Sequence, residues 1–573
     1  MRDTDRRGTL SLMFALTKYI SRKQKLFLIF VSSLSLIAAI LETTSVALVI
    51  PFLKNFLSQQ SNNTEAISYS INNIPFTEKI LSSPILLIVV VILASITRIL
   101  FFYSTAKVSA SVGNEISTKV FNSIFSVPYE FLASNESQKI LSGLVVQVDN
   151  VAKSIDYFSR LVSPILLTSI LVIYLLNLSF LATLISVLIF ITSYIILATR
   201  SRNKVINLSN QIGSRIEEQV KLISQIYSMR ASFIVDQSFN KVKQTYNSQD
   251  GKIRQLTSII EFLSAYPRAA LESVSVIIVL ILLYFLYSTL PAESVLPTLA
   301  AYVYATQRLI PAIQQVYAQW VTLNSYRYSM EFTLHTLTKK TNKIDYFPRK
   351  LINSLCTIDI KDLYYTHDKV KDTTLIKNIN YTFKQGDKVL ISGPSGAGKS
   401  TLVDIIVGLR YPTSGQIRYI FNNKDHVTSD KNNSKVLPIA YVPQSVALIN
   451  ENFYDNISLS DPFIPLDKKR AEFAASIVQL DDLIQSLPNK YFTNPVKSGL
   501  LLSGGQIQRI GIARAIYKFS NVLVLDESTS ALDENLENSI LSKLFSLEQY
   551  DFIFAISHRP NIEKYVTKIV NLS

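Results

Sequence analysis

Long apolar runs separated by basic segments dominate the first 340 residues, and much shorter apolar runs replace them afterwards. Six of the long runs approach the roughly 20 residues that a helix needs to cross a bilayer. They cover residues 26–53, 84–106, 157–176, 179–199, 262–287 and 295–320. The first run is too long for the core of a secretory signal peptide, which takes about 7–15 residues. The pattern predicts a membrane domain of six transmembrane helices over residues 1–340.

Basic residues are concentrated in alternate connections between the predicted spans. Seven Lys and Arg precede the first span and ten lie in residues 200–260, whereas the opposite connections contain only Lys54 and Lys79. Because basic residues stay on the cytoplasmic side, we expect a multi-pass membrane protein with both chain ends in the cytoplasm. The cytoplasmic connections 107–156 and 200–261 lack linker composition, so we expect them to be helices that extend the spans beyond the bilayer.

Composition agrees with a membrane protein of 573 residues, since 48% of the residues are hydrophobic and 17% are charged, against about 25% charged in soluble proteins. The formal net charge is +15, with 30 Lys and Arg against 18 Asp and Glu up to residue 340 and 27 against 24 thereafter. The excess belongs to the membrane half, which argues against nucleic acid as a partner. One cysteine, Cys356, and four scattered histidines argue against a disulfide framework and a transition-metal site.

After a polar stretch at 341–354, interpreted as a linker, short strands and helices predict an α/β P-loop domain over residues 355–573. A strand at 388–392 leads into Gly393-Pro-Ser-Gly-Ala-Gly398-Lys399-Ser400-Thr401, and a helix is predicted at 402–409. In the pattern GxxxxGK[ST], glycines allow backbone N–H groups to surround phosphate, Lys399 reaches the β- and γ-phosphates, and Ser400 binds Mg²⁺. The predicted ATP-binding residues of this loop are Gly393, Ser395, Gly396, Gly398, Lys399, Ser400 and Thr401.

Two further apolar strands end in residues that suit phosphate chemistry. The strand predicted at 521–525 is followed by Asp526 and Glu527, and the strand predicted at 551–557 is followed by His558. Ligand sites form at the carboxyl ends of such buried parallel strands. We expect Asp526 to bind Mg²⁺, Glu527 to polarise an attacking water, and His558 to contact the γ-phosphate.

The segment Leu502-Ser-Gly-Gly-Gln506 precedes Asp526 by twenty residues. Together with the phosphate loop, Tyr441-Val-Pro-Gln444 and Ser530-Ala-Leu-Asp533, it resembles the ATP-binding-cassette family over residues 355–573. The resemblance implies that Gln444 acts in catalysis and on Mg²⁺. It further implies a homodimer in which one chain closes over the ATP held by the partner's Lys399. The residues implied in that closure are Ser503 and Gly505, and the resemblance further implies Gly504, Gln506 and Asp533 as ATP-binding residues.

Six spans followed by one such domain resemble an exporter half-transporter. The resemblance implies coupling helices near residues 135–139 and 227–233. Two positions depart from the family pattern. His367 stands where an aromatic ring usually stacks on adenine, with Tyr365 two residues earlier as the other candidate, and Lys497 replaces a glutamate that usually precedes the signature.

Ionisable residues inside the predicted spans are candidates for substrate binding, because burying charge in a membrane is costly. Arg98, Arg268 and Arg308 fall roughly 20–30 Å below the outer ends of their helices at 1.5 Å per residue, a common layer that suits phosphate or pyrophosphate. Alternatively, Arg268 pairs with Glu272 at i,i+4 while Arg98 and Arg308 reach the cytoplasmic headgroups. Glu42 is the remaining ionisable residue that we single out in the spans.

The segments Glu42-Thr-Thr-Ser-Val-Ala-Leu-Val-Ile-Pro51, Tyr266-Pro-Arg268 and Gln307-Arg308-Leu-Ile-Pro311 are similar to the bacterial flippases of lipid-linked oligosaccharides. The resemblance implies that the three arginines attract the pyrophosphate of a polyprenyl-linked glycan. Our hypothesis is ATP-driven flipping of such an anionic amphiphile in a phospholipid bilayer. The alternatives are a general lipid or drug exporter of the lipid A type and an ATP-gated channel or regulator, against which Glu527 and His558 argue.

Overall fold

The computed structural model describes residues 8–61, 83–125, 137–289, 292–338, 345–346, 355–366, 374–421, 424–427, 435–436, 439–459, 465–499, 502–518 and 520–572. The chain divides into two compact units. One comprises the described residues up to 338 and is helical, and the other comprises those from 345 onwards and is a mixed α/β domain.

The helical unit consists mainly of long helices. Its helices are α1 (Thr9–Thr17), α2 (Arg22–Ser61), α3 (Pro84–Phe125), α4 (Ser137–Ser142), α5 (Val148–Leu178), α6 (Phe180–Ser228), α7 (Arg230–Val235), α8 (Phe239–Thr289), α9 (Ala292–Ser325) and α10 (Arg327–Thr338). A π-helical turn, Gly143–Gln147, joins α4 to α5. Five of the six predicted spans lie wholly inside one of these helices, and the fourth, 179–199, begins at Ser179, one residue before α6.

Three helical stretches of the described chain are long and apolar enough to cross a membrane: Arg22–Leu53, Pro84–Phe125 and Ile140–Leu178. They carry the first three predicted spans. Large apolar side chains on α3, such as Ile85 and Ile99, are mostly exposed in the isolated chain, as expected where the surroundings are lipid rather than water.

Helices α3, α6 and α8 contain 42, 49 and 51 residues. At 1.5 Å per residue they measure about 63, 74 and 77 Å, whereas the hydrocarbon core of a bilayer is about 30 Å thick. The expectation that helices continue through the segments between spans two and three and between spans four and five is therefore confirmed for the described residues. These helices extend far beyond any bilayer that they cross.

Helix α9 packs against α2, α5, α6 and α8. Its buried Tyr302 and Ala305 share an apolar cluster with Val46 of α2 and Leu171 of α5. Prolines inside these helices include Pro164 in α5 and Pro311 in α9. Proline removes a backbone hydrogen bond and kinks a helix, which leaves room between neighbouring helices.

The described residues of the second unit form eleven strands. They are β1 (Asp345–Tyr346), β2 (Leu355–Thr366), β3 (Thr374–Lys384), β4 (Lys388–Ser392), β5 (Ser414–Phe421), β6 (Lys424–Val427), β7 (Lys435–Val436), β8 (Ala440–Val442), β9 (Val522–Asp526), β10 (Phe552–Ile556) and β11 (Lys568–Asn571). One sheet is parallel, in the order β11-β4-β10-β9-β8, and another is antiparallel, in the order β3-β2-β5-β6. Short strands β1 and β7 pair with each other.

Six helices complete the described part of this unit. They are α11 (Lys399–Ile406), α12 (Phe453–Ser458), α13 (Lys468–Ile477), α14 (Asp481–Gln485), α15 (Gly504–Tyr517) and α16 (Glu534–Phe545), with 3₁₀ turns at Lys490–Phe492 and Pro560–Tyr565. Strands β9 and β10 are buried along their whole length, which explains their continuous apolar sequence.

The register of the parallel sheet aligns the ends of its strands. Ile556 of β10 lies opposite both Ile391 of β4 and Asp526 of β9, and Val442 of β8 lies opposite Leu525. Because all these strands point the same way, the residues that follow them meet at one edge of the sheet. That edge collects the phosphate loop, Glu527, His558 and Gln444.

Some boundaries of these elements differ slightly from those predicted from the sequence. Strand β9 includes Asp526 rather than ending before it, and α15 begins at Gly504, within the signature segment. The signature segment is thus the first turn of the helix, because Ser503 caps it.

Candidate functional site

The phosphate loop after β4 is shaped by glycines at positions that other residues resist. Gly398 caps the N-terminus of α11 in the left-handed conformation, with φ of 86°. At Gly393, φ is 151° and an added Cβ would lie 2.4 Å from the carbonyl oxygen of Leu572. The Nζ of buried Lys399 donates hydrogen bonds to the carbonyl oxygens of Gly393 (2.9 Å) and Pro394 (3.0 Å). The lysine therefore lies across the loop that it is predicted to serve.

The other residues predicted for this loop lie beside it. Ser395 and Gly396 are exposed in the loop. Ser400 and Thr401 form the first turn of α11, whose N-terminus carries partial positive charge. An exposed loop of N–H groups at a helix N-terminus is suited to an anion such as phosphate.

Asp526 lies at the end of β9 and receives two hydroxyl groups. Ser400 Oγ donates to its Oδ1 at 3.1 Å, and Tyr441 OH donates to its Oδ2 at 3.3 Å. Burial raises the pKa of Asp526, and these two hydrogen bonds offset part of the rise. The nearby charges of Glu527 and Asp404 raise the pKa further.

This cluster of carboxylates and hydroxyls fits Mg²⁺, which prefers oxygen ligands and is usually bound by one or two carboxylates together with substrate phosphates. A divalent cation would remove the repulsion that raises the pKa of Asp526. Ser400 and Asp526 are in direct contact and would hold the ion together. Gln444, the third predicted ligand, contacts Glu527 in this structure.

Glu527 follows β9 with a left-handed backbone, φ of 47°. Non-glycine residues in this conformation are strained and cluster at functional sites. Gln444 Nε2 donates to its Oε2 at 2.7 Å, and His558 Nε2 lies 3.4 Å from its Oε1. Nζ of Lys399 lies 3.3 Å from the same nitrogen of His558. Four residues from four motifs thus form one contiguous polar chain.

The signature residues form a capping box at the start of α15. Gln506 N donates to Ser503 Oγ at 3.2 Å, and Ser503 N donates to Gln506 Oε1 at 2.8 Å. An added Cβ at Gly505 would lie 2.9 Å from the carbonyl oxygen of Ala531, and one at Gly504 would lie 3.7 Å from Ala531 Cβ. The signature therefore packs directly on the Ser530–Asp533 segment, in which Asp533 caps α16.

Sequence reasoning missed two residues that hold this segment in place. Gln508 donates to Ser530 Oγ at 3.0 Å and accepts from Ala531 N at 2.8 Å. Arg559 donates to the carbonyl oxygens of Leu532 (3.0 Å) and Ser530 (2.7 Å) and to Glu537 Oε2 (2.6 Å). Arg559 could have been identified from its position directly after His558. Gln508 could have been identified from its position two residues after the signature segment.

Only one of the two candidates for adenine stacking, Tyr365, lies within the described residues. Tyr365 is buried, and its OH accepts a hydrogen bond from Arg410 at 3.2 Å. Its ring is therefore part of the core of the antiparallel sheet and does not offer a free face for a base. His367 lies outside the described residues. Lys497 is exposed, with its N–H donating to Asn494 Oδ1.

Of the two implied coupling helices, the first lies largely outside the described residues. At the second, α6 ends at Ser228 and the short helix α7 (Arg230–Val235) turns the chain into α8. Ile234 and Val235 of α7 are 75% and 78% exposed. The structure therefore places a short helix with two exposed apolar side chains at this connection.

The helical unit contains a cavity of about 140 Å³ between α2, α3, α5 and α9. Arg98 and Arg308 both line it, so two of the three predicted arginines reach one cavity within a single chain. The side chain of Arg268 lies outside the described residues, although its backbone belongs to α8. The cavity is also lined by Glu42, Ser163, Gln307 and Gln315.

Each arginine near this cavity has an internal partner. Arg98 Nη1 donates to Glu42 Oε1 at 3.2 Å, and Arg308 Nη2 donates to Tyr304 OH at 3.2 Å. Arg160, which the sequence did not single out, pairs with Asp156 at 3.0 Å. The guanidinium groups of Arg98 and Arg160 both lie over the ring of Phe102, at 5.8 and 5.5 Å.

Two family models match the chain. The model described as ABC transporter transmembrane region matches residues 26–250, and the model described as ABC transporter matches residues 376–530. The two matches fall in the two units of the structure.

Similar proteins include the heterocyst differentiation ATP-binding protein HepA of Nostoc sp., 26% identical over 94% of this chain and 88% of the relative. The ATP-dependent lipid A-core flippase of Saccharophagus degradans is 34% identical over 35% of this chain and 33% of its own length. The leukotoxin translocation protein LktB of Mannheimia haemolytica is 34% identical over 37% and 29%. The chain thus aligns with about a third of the latter two relatives.

A solved structure of a bacterial Atm1-family ABC exporter with ATP bound has the same fold. It superposes with a TM-score of 0.74 over 96% of this chain and 94% of its own length, at 17% sequence identity. The predicted fold class, a helical membrane domain with a P-loop ATP-binding domain, is confirmed.

Proposed function

Since the chain carries the transmembrane region and the ATP-binding domain of ABC transporters and so belongs to that family, we propose that it flips an anionic amphiphile across the inner membrane. Its ATP-binding domain is an ATPase coupled to transport. The proposed substrate is a polyprenyl-diphosphate-linked oligosaccharide. The observation that carries the proposal is the cavity of the helical unit in which Arg98 and Arg308 lie together.

In the proposed ATP site, Lys399 and the loop N–H groups hold the phosphates. Ser400 and Asp526 hold Mg²⁺, which when bound neutralises charge on the phosphate oxygens. Glu527, positioned by Gln444 and beside His558, accepts the proton of the attacking water. Gln444 donates a hydrogen bond to Glu527, and its amide oxygen would be a further ligand for Mg²⁺ beside Ser400 and Asp526.

The chain carries one phosphate loop and one signature segment, which supports a homodimer with two equivalent ATP sites. In it, Ser503, Gly504, Gly505, Gln506 and Asp533 complete the site of the partner chain. The basic segments of the membrane half support an orientation with both chain ends in the cytoplasm.

Arginine suits the proposed substrate because its planar guanidinium binds phosphate with two parallel hydrogen bonds. In a partly dehydrated cavity such bonds are stronger than in water. Pro164 and Pro311 also line this cavity, and each removes one backbone hydrogen bond from its helix.

The experiment is reconstitution of the full chain in liposomes, with flipping of a fluorescent polyprenyl-diphosphate glycan and stimulated ATPase activity as readouts. Arg98→Ala, Arg268→Ala and Arg308→Ala are tested singly, with Arg254→Ala as the control because Arg254 pairs with Asp250 in an exposed part of α8. We expect flipping to fall at least tenfold in each of the three variants. Unchanged flipping in all three variants would disprove the proposed substrate site.

A second candidate is a general lipid or drug exporter, favoured by the similarity to the lipid A-core flippase. It predicts stimulation of ATP hydrolysis by apolar drugs or lipid A in the absence of any polyprenyl diphosphate. A third candidate, an ATP-gated channel or regulator, predicts that Glu527→Gln leaves function intact. The contacts of Glu527 with Gln444 and His558 support hydrolysis instead.

A further inference from the structure

Glu42 is a buried acidic residue in a cavity proposed to bind an anion. It is 7% exposed and is the one acidic side chain among the residues that line the described cavity. Its Oε1 accepts the hydrogen bond from Arg98, while its Oε2 is buried without a hydrogen-bond partner among the described residues. A buried carboxylate oxygen without a partner costs free energy. Stability alone therefore gives no reason for a glutamate here.

The size of the cavity limits what it holds in this conformation. Its volume of about 140 Å³ is well above the roughly 10–15 Å³ that one water needs on this measure. The cavity therefore has room for a phosphate-sized group. Gln307, Gln315 and Ser163 add neutral hydrogen-bonding groups to its wall. The cavity is thus sized and lined for the charged part of an amphiphile.

The bond between Arg98 and Glu42 is a weak one for an ion pair. Its length of 3.2 Å exceeds the 2.7–2.9 Å typical of charge-assisted hydrogen bonds. It uses one of the five N–H donors of a guanidinium, and the Arg98 side chain remains 36% exposed. Arg98 is therefore held by Glu42 but is accessible to a stronger acceptor.

We propose that Glu42 is an internal counter-ion, which pairs with Arg98 in the empty cavity and is displaced when an anionic headgroup binds. This inference rests on the proposed function, because it assumes that Arg98 binds the substrate. Carboxylate and phosphate compete for the same donors of Arg98. Glu42 lowers the affinity for anions, and it restores a partner to Arg98 after release, so that no unpaired charge remains buried.

Two consequences follow for selectivity and release. A neutral amphiphile gains nothing from displacing Glu42, so the competition acts only on anionic headgroups. Removing the charge of Glu42 should tighten binding of an anion and slow its release. Affinity and turnover should therefore change in opposite directions, which a purely structural role of Glu42 would not produce.

The test uses the full chain in liposomes with three amphiphiles: polyprenyl diphosphate, dodecyl phosphate and neutral dodecyl maltoside. The half-saturating concentration and the maximal rate of stimulated ATP hydrolysis are measured for Glu42→Gln, Glu42→Asp, Arg98→Ala and the double variant Glu42→Gln/Arg98→Ala. We expect Glu42→Gln to lower the half-saturating concentration of both phosphates about tenfold and to lower the maximal rate. Binding of the maltoside should not change. In the Arg98→Ala background, Glu42→Gln should give no gain.

Glu42→Asp keeps the charge but shortens its reach, so we expect a smaller gain in affinity. Unchanged or weaker binding of both phosphates by folded Glu42→Gln overturns the inference. If Glu42→Gln does not fold, the same result with Glu42→Asp overturns it. If polyprenyl diphosphate does not stimulate ATP hydrolysis by the wild type but Glu42→Gln lowers the half-saturating concentration of dodecyl phosphate, the proposed substrate fails and the counter-ion role stands. If the wild type flips polyprenyl diphosphate but Glu42→Gln does not alter the half-saturating concentration of either phosphate, the proposed substrate stands and the counter-ion role fails.

Discussion

Each unit contains an arginine paired with a buried glutamate, and the two pairs differ in how completely their donors are used. In the ATP-binding unit, Arg559 bonds to Glu537 and to two backbone carbonyls, and Glu537 is 1% exposed. In the helical unit, the Arg98 guanidinium makes one hydrogen bond among the described residues, to Oε1 of Glu42. Oε2 of Glu42 is buried and has no hydrogen-bond partner among those residues.

The difference separates a structural ion pair from a binding site. Arg559 joins the segment after β10 to the segment before α16. Its hydrogen bonds to the backbone of Ser530 and Leu532 and to the carboxylate of Glu537 hold these elements together. Arg98 and Glu42 face a cavity and retain hydrogen-bonding capacity. Unused capacity in a buried site costs stability, so we interpret it as capacity for a ligand.

The largest effect is expected in the ATP-binding unit, where Glu527→Gln should lower ATP hydrolysis by about 10²–10⁴-fold, the usual contribution of a general base. ATP binding should persist because Lys399 and Ser400 are untouched. Steady-state hydrolysis and binding of a fluorescent ATP analogue test this, with Glu548→Gln, an exposed glutamate, as the control. Retained hydrolysis would remove Glu527 from the catalytic role.

A direct test of the comparison is to remove each glutamate in turn. Glu537→Ala should destabilise the chain by about 2–3 kcal/mol, less than the roughly 3–5 kcal/mol of a fully buried pair, because the Arg559 side chain is 34% exposed. Glu42→Ala should cost under about 1 kcal/mol, since its bond to Arg98 is single and Arg98 reaches the cavity. Thermal unfolding of the full chain measures both. Equal losses would contradict the distinction drawn between the two pairs.

Arg98→Ala should raise the half-saturating concentration of an anionic amphiphile about tenfold, equivalent to about 1.4 kcal/mol, with little effect on basal ATP hydrolysis. The matched control is Arg160→Ala, because Arg160 lies over the same Phe102 ring but pairs with Asp156 and does not line the described cavity. An equal effect of both variants would show that the ring contact, rather than the cavity, matters.

The smallest effect concerns the capping box of the signature helix. Ser503→Ala should lower stability by about 1 kcal/mol, the usual cost of losing an N-cap. Ser546→Ala, at the exposed C-terminal end of α16, serves as the control in thermal unfolding. A loss as small as that of the control would show that the cap is dispensable for folding.

Much of the ATP-binding unit could be predicted from the sequence because its chemistry lies in short motifs. The run from Gly393 to Thr401 specifies its own loop and helix, and β4 was predicted to the residue. The meeting of Glu527 and His558 beside the phosphate loop also followed, since parallel strands place their carboxyl ends at one edge, whereas Gln444 was implied only by the family resemblance. The roles of these residues remain predictions.

The burial of Tyr365 was not predictable in the same way. Strand residues alternate between faces, so Tyr364 and Tyr365 look equivalent until the register of β2 and the position of Arg410 are known. The same is true of Arg559, whose partners Ser530 and Leu532 lie nearly thirty residues away in the chain.

By itself the sequence determined that this protein has long apolar helices and a P-loop ATP-binding domain, because periodicity and motif spacing act over a few residues. It also marked Glu42, Arg98 and Arg308 as costly charges inside helices. Only the tertiary structure decided that these three share a cavity and that Glu42 is bonded to Arg98. The rotation of each packed helix about its own axis sets which charges meet, and that rotation depends on contacts between residues far apart in the chain.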